Sequence, residues 1–129
     1  MENHFATYNQ SLALKGFGFD EPCFRYIYTG DTGNNIDRYE EVEPSRAINF
    51  NHDSLCVSQP LKSQVFEWGR KNHSIHGIVS YYGKGQWNIE ILDYKGNELI
   101  QIEDNTFWSY EEAESTCVDK LIELLQHDK

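Results

Sequence analysis

The clearest periodicity in the chain is near its end. Ala113, Cys117, Leu121 and Leu124 recur at steps of four, four and three, and Tyr110, Val118, Ile122 and Leu125 widen the stripe. That spacing predicts a helix over 109–126 with one buried side, about 25 Å long at the helical rise per residue. Ser109 and Glu112 have the spacing of a capping box at its start. Upstream the period changes to two. Trp87, Ile89 and Ile91 alternate with Asn88 and Glu90, which predicts a strand over 86–94, and Ile100 and Ile102 suggest another over 98–106. A third candidate covers 75–82. Gly83-Lys84-Gly85 and Lys95-Gly96 supply turns short enough to force an antiparallel meander.

The first half is read less directly. Ser58 or Gln59, followed by Pro60, predicts a helix start; Leu61, Val65 and Trp68 share a face with Phe66 and Gly69 beside it, and Lys71-Asn72 ends the run. Phe5, Tyr8 and Leu12 predict a short helix over 5–15, stopped by Gly16 and Gly18. After the turn Asp20-Glu21-Pro22, residues 23–28 alternate as a strand and Thr29 to Asn35 reads as a loop. Arg38-Tyr39 and Ala47 to Phe50 are candidate short strands, and Leu55-Cys56-Val57 is extended. The order α-β-(β)-α-β-β-β-α predicts an α+β fold in one domain, 1–129. It is read as a two-layer sandwich with helices on one face of an antiparallel sheet. The other face then presents Tyr82, Tyr94, Glu90 and Asn88 to solvent or to a partner.

Composition narrows the picture. A chain of 129 residues with 39% hydrophobic and 14% aromatic residues can bury one core. No apolar run reaches the roughly 18 residues of a membrane span. Met1-Glu2-Asn3-His4 lacks the basic and apolar regions of a secretory signal, so a cytoplasmic setting is expected. Cys23, Cys56 and Cys117 are odd in number and far apart, which fits free thiols in a reducing compartment. The net charge is −10, and the segment from Glu98 onward carries nine acids against two bases. Such a surface repels polyanions and anionic lipid and attracts a basic protein.

Candidate chemistry is sparse. Helix, three strands and helix from Pro60 onward is the order of the double-stranded-RNA-binding domain. That family grips phosphates with lysines at the start of its last helix; Tyr110, Glu111, Glu112 and Glu114 stand there instead, so nucleic-acid binding is not expected. His52, Cys56, His73 and His76 could together offer four ligands to zinc, and they underlie an alternative reading as a small metal-dependent or hydrolytic enzyme. Their spacing is loose, however, and histidines near a helix end more commonly face its negative dipole. No nucleophile elbow, Walker motif or dinucleotide fingerprint is present. Cys23, beside Glu21, has its thiolate disfavoured. No cofactor is implied. The surplus is aromatic: Tyr26, Tyr28, Tyr81, Tyr82, Tyr94 and Trp108 exceed what so small a core can hold. With Glu111, Glu112 and Glu114 they suggest the anchors and rim of a protein interface. Tyrosine-rich faces and sheet edges also make a homodimer an option.

Three segments resemble a known group. Ser11-Leu12-Ala13-Leu14-Lys15-Gly16-Phe17-Gly18-Phe19-Asp20-Glu21-Pro22-Cys23 is one. Pro60-Leu61 with Val65-Phe66-Glu67-Trp68 is the second, and Tyr110-Glu111-Glu112-Ala113-Glu114 with Cys117 and Lys120-Leu121-Ile122-Glu123 the third. Together they are similar to small uncharacterised proteins of Bacteroides-type bacteria, their phages and prophages. The resemblance spans most of the chain outside 29–54 and brings no catalytic residues. It implies a bacterial or phage cytoplasmic setting and an accessory role. The reading that combines these features is a non-enzymatic interaction module with an acidic surface.

Overall fold

Thr7 and Gln10 open the described fold with a complete capping box. Gln10 N donates to Thr7 Oγ1 at 3.1 Å and Thr7 N donates to Gln10 Oε1 at 2.9 Å, satisfying two orphan donors of helix α1 (Tyr8–Gly16). A computed structural model describes residues 4–29 and 39–127. They form two compact units, Met1–Gln64 and Val65–Lys129. The helices and antiparallel sheets make the α+β class expected from the sequence. The predicted loop from Gly30 to Asn35 and the Arg38 part of a candidate strand lie outside the described residues.

In the first unit, β1 (Arg25–Tyr28) lies between β2 (Glu40–Glu41) and β3 (Cys56–Ser58), antiparallel to both, with Tyr26 opposite Glu40 and Ser58. Helix α1 is shorter than predicted. Phe5 sits before it in an isolated bridge to Leu61, and the buried side is Gln10, Ser11 and Leu14, while Leu12 is exposed. Alternation in β1 turns Arg25 and Ile27 inward. The Arg25 guanidinium lies 3.7 Å from the centre of the Phe5 ring and 3.6 Å from that of Tyr39, and it pairs with the Glu41 carboxylate. Two aromatic faces and a carboxylate are the surroundings that let a guanidinium leave water. The candidate strand at Ala47 to Phe50 reduces to one bridge, Ile48 to Cys23, followed by a 3-10 turn at Phe50–His52.

Helix α2 (Lys62–His73) starts later than predicted. Ser58 belongs to β3, and the Gln59 amide donates to Ala6 O, so neither caps it; Leu61 N instead donates to Gln64 Oε1 at 2.9 Å. In the second unit, β4 (His76–Gly83) and β5 (Gln86–Leu92) form a two-stranded hairpin, and α3 (Tyr110–His127) packs across both strands. Ala113, Cys117, Val118, Leu121, Ile122 and Leu125 are buried, as the periodicity predicts, and Ser109 Oγ accepts from Glu112 N at 3.1 Å. Gly77 has a packing reason: a Cβ there would stand 2.8 Å from Phe66 Cδ1 and 3.2 Å from Cys117 Sγ.

The third strand of the expected meander does not form. Between 98 and 107 the backbone pairs with β5 at the isolated bridges Leu92–Glu98 and Trp87–Phe107 and forms no continuous ladder. Midway, the Asn105 side chain takes the place of a strand: Ile89 N donates to its Oδ1 and its Nδ2 donates to Ile89 O, both at 2.8 Å. Asp104 next to it has φ of 50°, a left-handed conformation that strands exclude. The order from 62 onward is therefore helix, hairpin, helix.

Candidate functional site

The hairpin turn and the start of α3 converge on one aromatic and acidic cluster in the second unit. Register places Tyr81 opposite Trp87, and their ring centroids are 4.9 Å apart. The bridge from Trp87 to Phe107 then delivers the chain to Ser109 and the first residue of α3, Tyr110, whose ring meets Trp87 edge-on at 5.2 Å. Four residues further along the helix, and so on the same side, Glu114 Oε2 accepts from the Tyr110 hydroxyl at 2.9 Å. Gly85 N donates to the Tyr81 hydroxyl at 3.0 Å, which ties that ring to the turn. Burial, then the bond to Glu114 and the charges of Glu114 and Glu111, push the Tyr110 hydroxyl up to about 12.

Around this cluster the aromatic surface is large. Tyr81, Tyr82 and Trp108 are 56%, 50% and 66% exposed. Tyr82 lies on the outward face of the hairpin with Ile78, Asn88 and Glu90, opposite to the buried Ile89 and Ile91, and its hydroxyl is 3.2 Å from Thr106 Oγ1. Between Lys95 and Lys120 the sequence holds Glu98, Glu103, Asp104, Glu111, Glu112, Glu114 and Asp119, with no lysine, arginine or histidine. Of these acids Glu111 and Glu112 are exposed at the start of α3 and Glu98 lies at the far end of β5, while the base Lys84 stands in the hairpin turn.

The residues singled out from the sequence fall in both units. Tyr26 and Tyr28 belong to the first unit, where Tyr26 stacks on Phe50 at 4.2 Å and Tyr28 is exposed. Tyr94, 72% exposed, follows the far end of β5, some 20 Å from Tyr82 at the strand rise per residue. Glu111 and Glu112 are exposed on the first turn of α3, but Glu114 is 5% exposed and so is no surface charge. Sequence reasoning passed over Tyr110 and Trp87 as site residues. The Tyr110–Glu114 step of four was the available signal.

The four candidate zinc ligands are divided between the units. His52 and Cys56 lie in the first unit and His73 and His76 in the second. Among the described residues no three of His, Cys, Asp and Glu group closely enough to hold a metal ion. The His52 ring pairs with Asn49 O, Cys56 is buried, and the His73 ring packs on Trp68 at 4.7 Å.

Burial disfavours the thiolate at Cys23 and Cys117 and pushes each thiol up to about 12; Ser58 partly offsets this at Cys23 and the Ile78 backbone at Cys117, while Glu21 and Glu114 add to it. Unfolded thiols titrate near 9.0. From there to about 12 the folded chain keeps protons that the unfolded chain has lost. Stability fully present below pH 9 is therefore lost as pH rises toward 12, and Tyr110 acts in the same direction from 10 upward. Denaturant midpoints between pH 8 and 11 are expected to fall, and less so in the Cys117→Ala chain. A midpoint flat across that range would show the thiols to be solvated.

No helix among the described residues is long and apolar enough to cross a membrane. Comparison with family models, with curated proteins and with solved structures finds no match.

Proposed function

We propose that this chain is a non-enzymatic interaction module that binds a basic protein through the aromatic surface at the hairpin turn of its second unit. The observation that carries the reading is the exposure of Tyr81, Tyr82 and Trp108; Lys84 stands in the hairpin turn, but every formal charge from 96 to 119, the stretch that brings Trp108 and the start of α3, is negative. Exposed tyrosine and tryptophan supply contact area at low entropic cost, and the surrounding carboxylates select the partner's charge. The same charge disfavours nucleic acid as a partner. Among the described residues no three of His, Cys, Asp and Glu group closely enough to hold a metal ion, and burial disfavours the thiolates of Cys23 and Cys117. The resemblance of the three sequence segments supports a cytoplasmic accessory role in bacteria or their phages.

The test is association of the immobilised chain with a panel of small basic and acidic proteins. Basic proteins are expected to bind at about 0.01 M salt and to be released toward about 1 M, as the screening length shrinks from about 30 to 3 Å. Binding of the acidic members, or association insensitive to salt, would refute the reading.

A further inference from the structure

Four side chains run in file from solvent into the second unit: Tyr81, Trp87, Tyr110 and Glu114. At the inner end, Glu114 Oε2 is held by the Tyr110 hydroxyl, while Oε1 is shielded from solvent and has no hydrogen-bond partner among the described residues. An orphaned buried carboxylate oxygen is costly to the free chain. The helix does not need it, since its packed side is already made by Ala113, Cys117, Val118 and Leu121. Lys84 lies in the turn at the outer end of the file, next to the Gly85 that bonds Tyr81, but the stretch that carries Glu114, 96 to 119, holds no lysine, arginine or histidine.

We infer that this file is a receptor for an arginine side chain of the basic partner, an assignment that rests on the interaction reading above. The guanidinium stacks on the Tyr81 and Trp87 rings and donates to Glu114 Oε1, which is reached when Tyr110, partly exposed at the first residue of α3, turns about χ1. Arginine fits better than lysine. Its planar, weakly hydrated head stacks on aromatic faces and still presents in-plane donors to a carboxylate, whereas an ammonium is a compact and strongly hydrated charge. The buried oxygen supplies the missing acceptor, and the exposed rings supply the entry.

The experiment compares a nine-residue arginine peptide with a nine-residue lysine peptide, titrated at low salt while tryptophan fluorescence is followed. The arginine peptide is expected to bind more tightly. Glu114→Gln, which removes the charge but keeps an acceptor for Tyr110, is expected to weaken it at least ~10-fold, the scale of breaking a buried charge pair. The exposed control Glu103→Gln should change it by less than ~3-fold. Thermal stability separates the roles: a receptor carboxylate leaves the melting temperature of Glu114→Gln equal or raised, whereas a structural one lowers it. Should that variant fail to fold, Tyr81→Ala is expected to weaken the arginine peptide and Tyr81→Phe to restore it. Equal affinity for both peptides, or wild-type affinity in Glu114→Gln and Tyr81→Ala, overturns the receptor and leaves the acidic interaction surface standing. Failure of both peptides to bind at low salt overturns that wider reading as well.

Discussion

Replacing Leu121 by alanine is expected to destabilise the chain by about 3–5 kcal/mol, the range for a large aliphatic side chain deleted from a core that cannot collapse. Leu121 is fully buried on α3, and its Cδ1 lies 3.0 Å from where a Cβ on Gly69 of α2 would stand. The leucine thus fills a notch that the glycine leaves open, and Ile75 O, 3.4 Å from the same point, limits how far the backbone can close. Against a total stability of about 5–15 kcal/mol for a domain, such a loss is a large fraction. The contact is tested by a cycle. Gly69→Ala alone should gain helix propensity yet overpack the notch, whereas in the Leu121→Ala background the new methyl occupies part of the vacated space. The double variant is then expected to be more stable than the sum of the two single effects, by at least ~0.5 kcal/mol in denaturant unfolding. Strict additivity would mean that the two side chains do not meet.

The same region shows how far sequence reading reaches. The stripe from Ala113 to Leu125 was legible because a long amphipathic helix with one buried side writes its period plainly. The hairpin was legible from Gly83-Lys84-Gly85, where Gly83 and Gly85 have φ of 106° and 77°, values open to glycine. Helix α1 was misjudged for the converse reason. Its buried side holds Gln10 and Ser11, so the apolar positions Phe5, Tyr8 and Leu12 pointed to the wrong face, while Thr7-x-x-Gln10 marked its start. The candidate site was half legible. An excess of tyrosine and acid stands in the composition, but the meeting of Tyr81, Trp87 and Tyr110 depends on strand register and on where an irregular segment delivers the next helix. The burial of Glu114 is likewise tertiary: at i+4 from Tyr110 it reads as one more surface carboxylate.

The third strand failed for a reason that can itself be tested at Asn105. Leu99, Ile100 and Ile102 imitate a strand pattern, but Asp104 and Asn105 are residues that tolerate left-handed and turn geometry, and the outer edge of β5 needs little from a true strand. Trp87 exchanges two backbone bonds with Phe107, Ile91 O accepts from Leu99 N, and Asn105 serves both groups of Ile89. In the antiparallel register Ile89 faces Val79 at a position whose N–H and C=O point away from β4, so the Asn105 amide is what pairs them. Asn105→Ala would leave a donor and an acceptor without partners beside a fully buried side chain. At about 1–3 kcal/mol for each unsatisfied buried group, and with partial access of water to the edge, a loss of about 2–4 kcal/mol is expected. Asn105→Asp should cost more, because the donor to Ile89 O is replaced by a carboxylate oxygen facing a carbonyl. Denaturant unfolding measures both, and amide exchange gives the local signature: the Ile89 N–H should lose protection by far more than the N–H groups shared between β4 and β5. Unchanged stability and protection in Asn105→Ala would mean that the edge is held by the two flanking bridges alone.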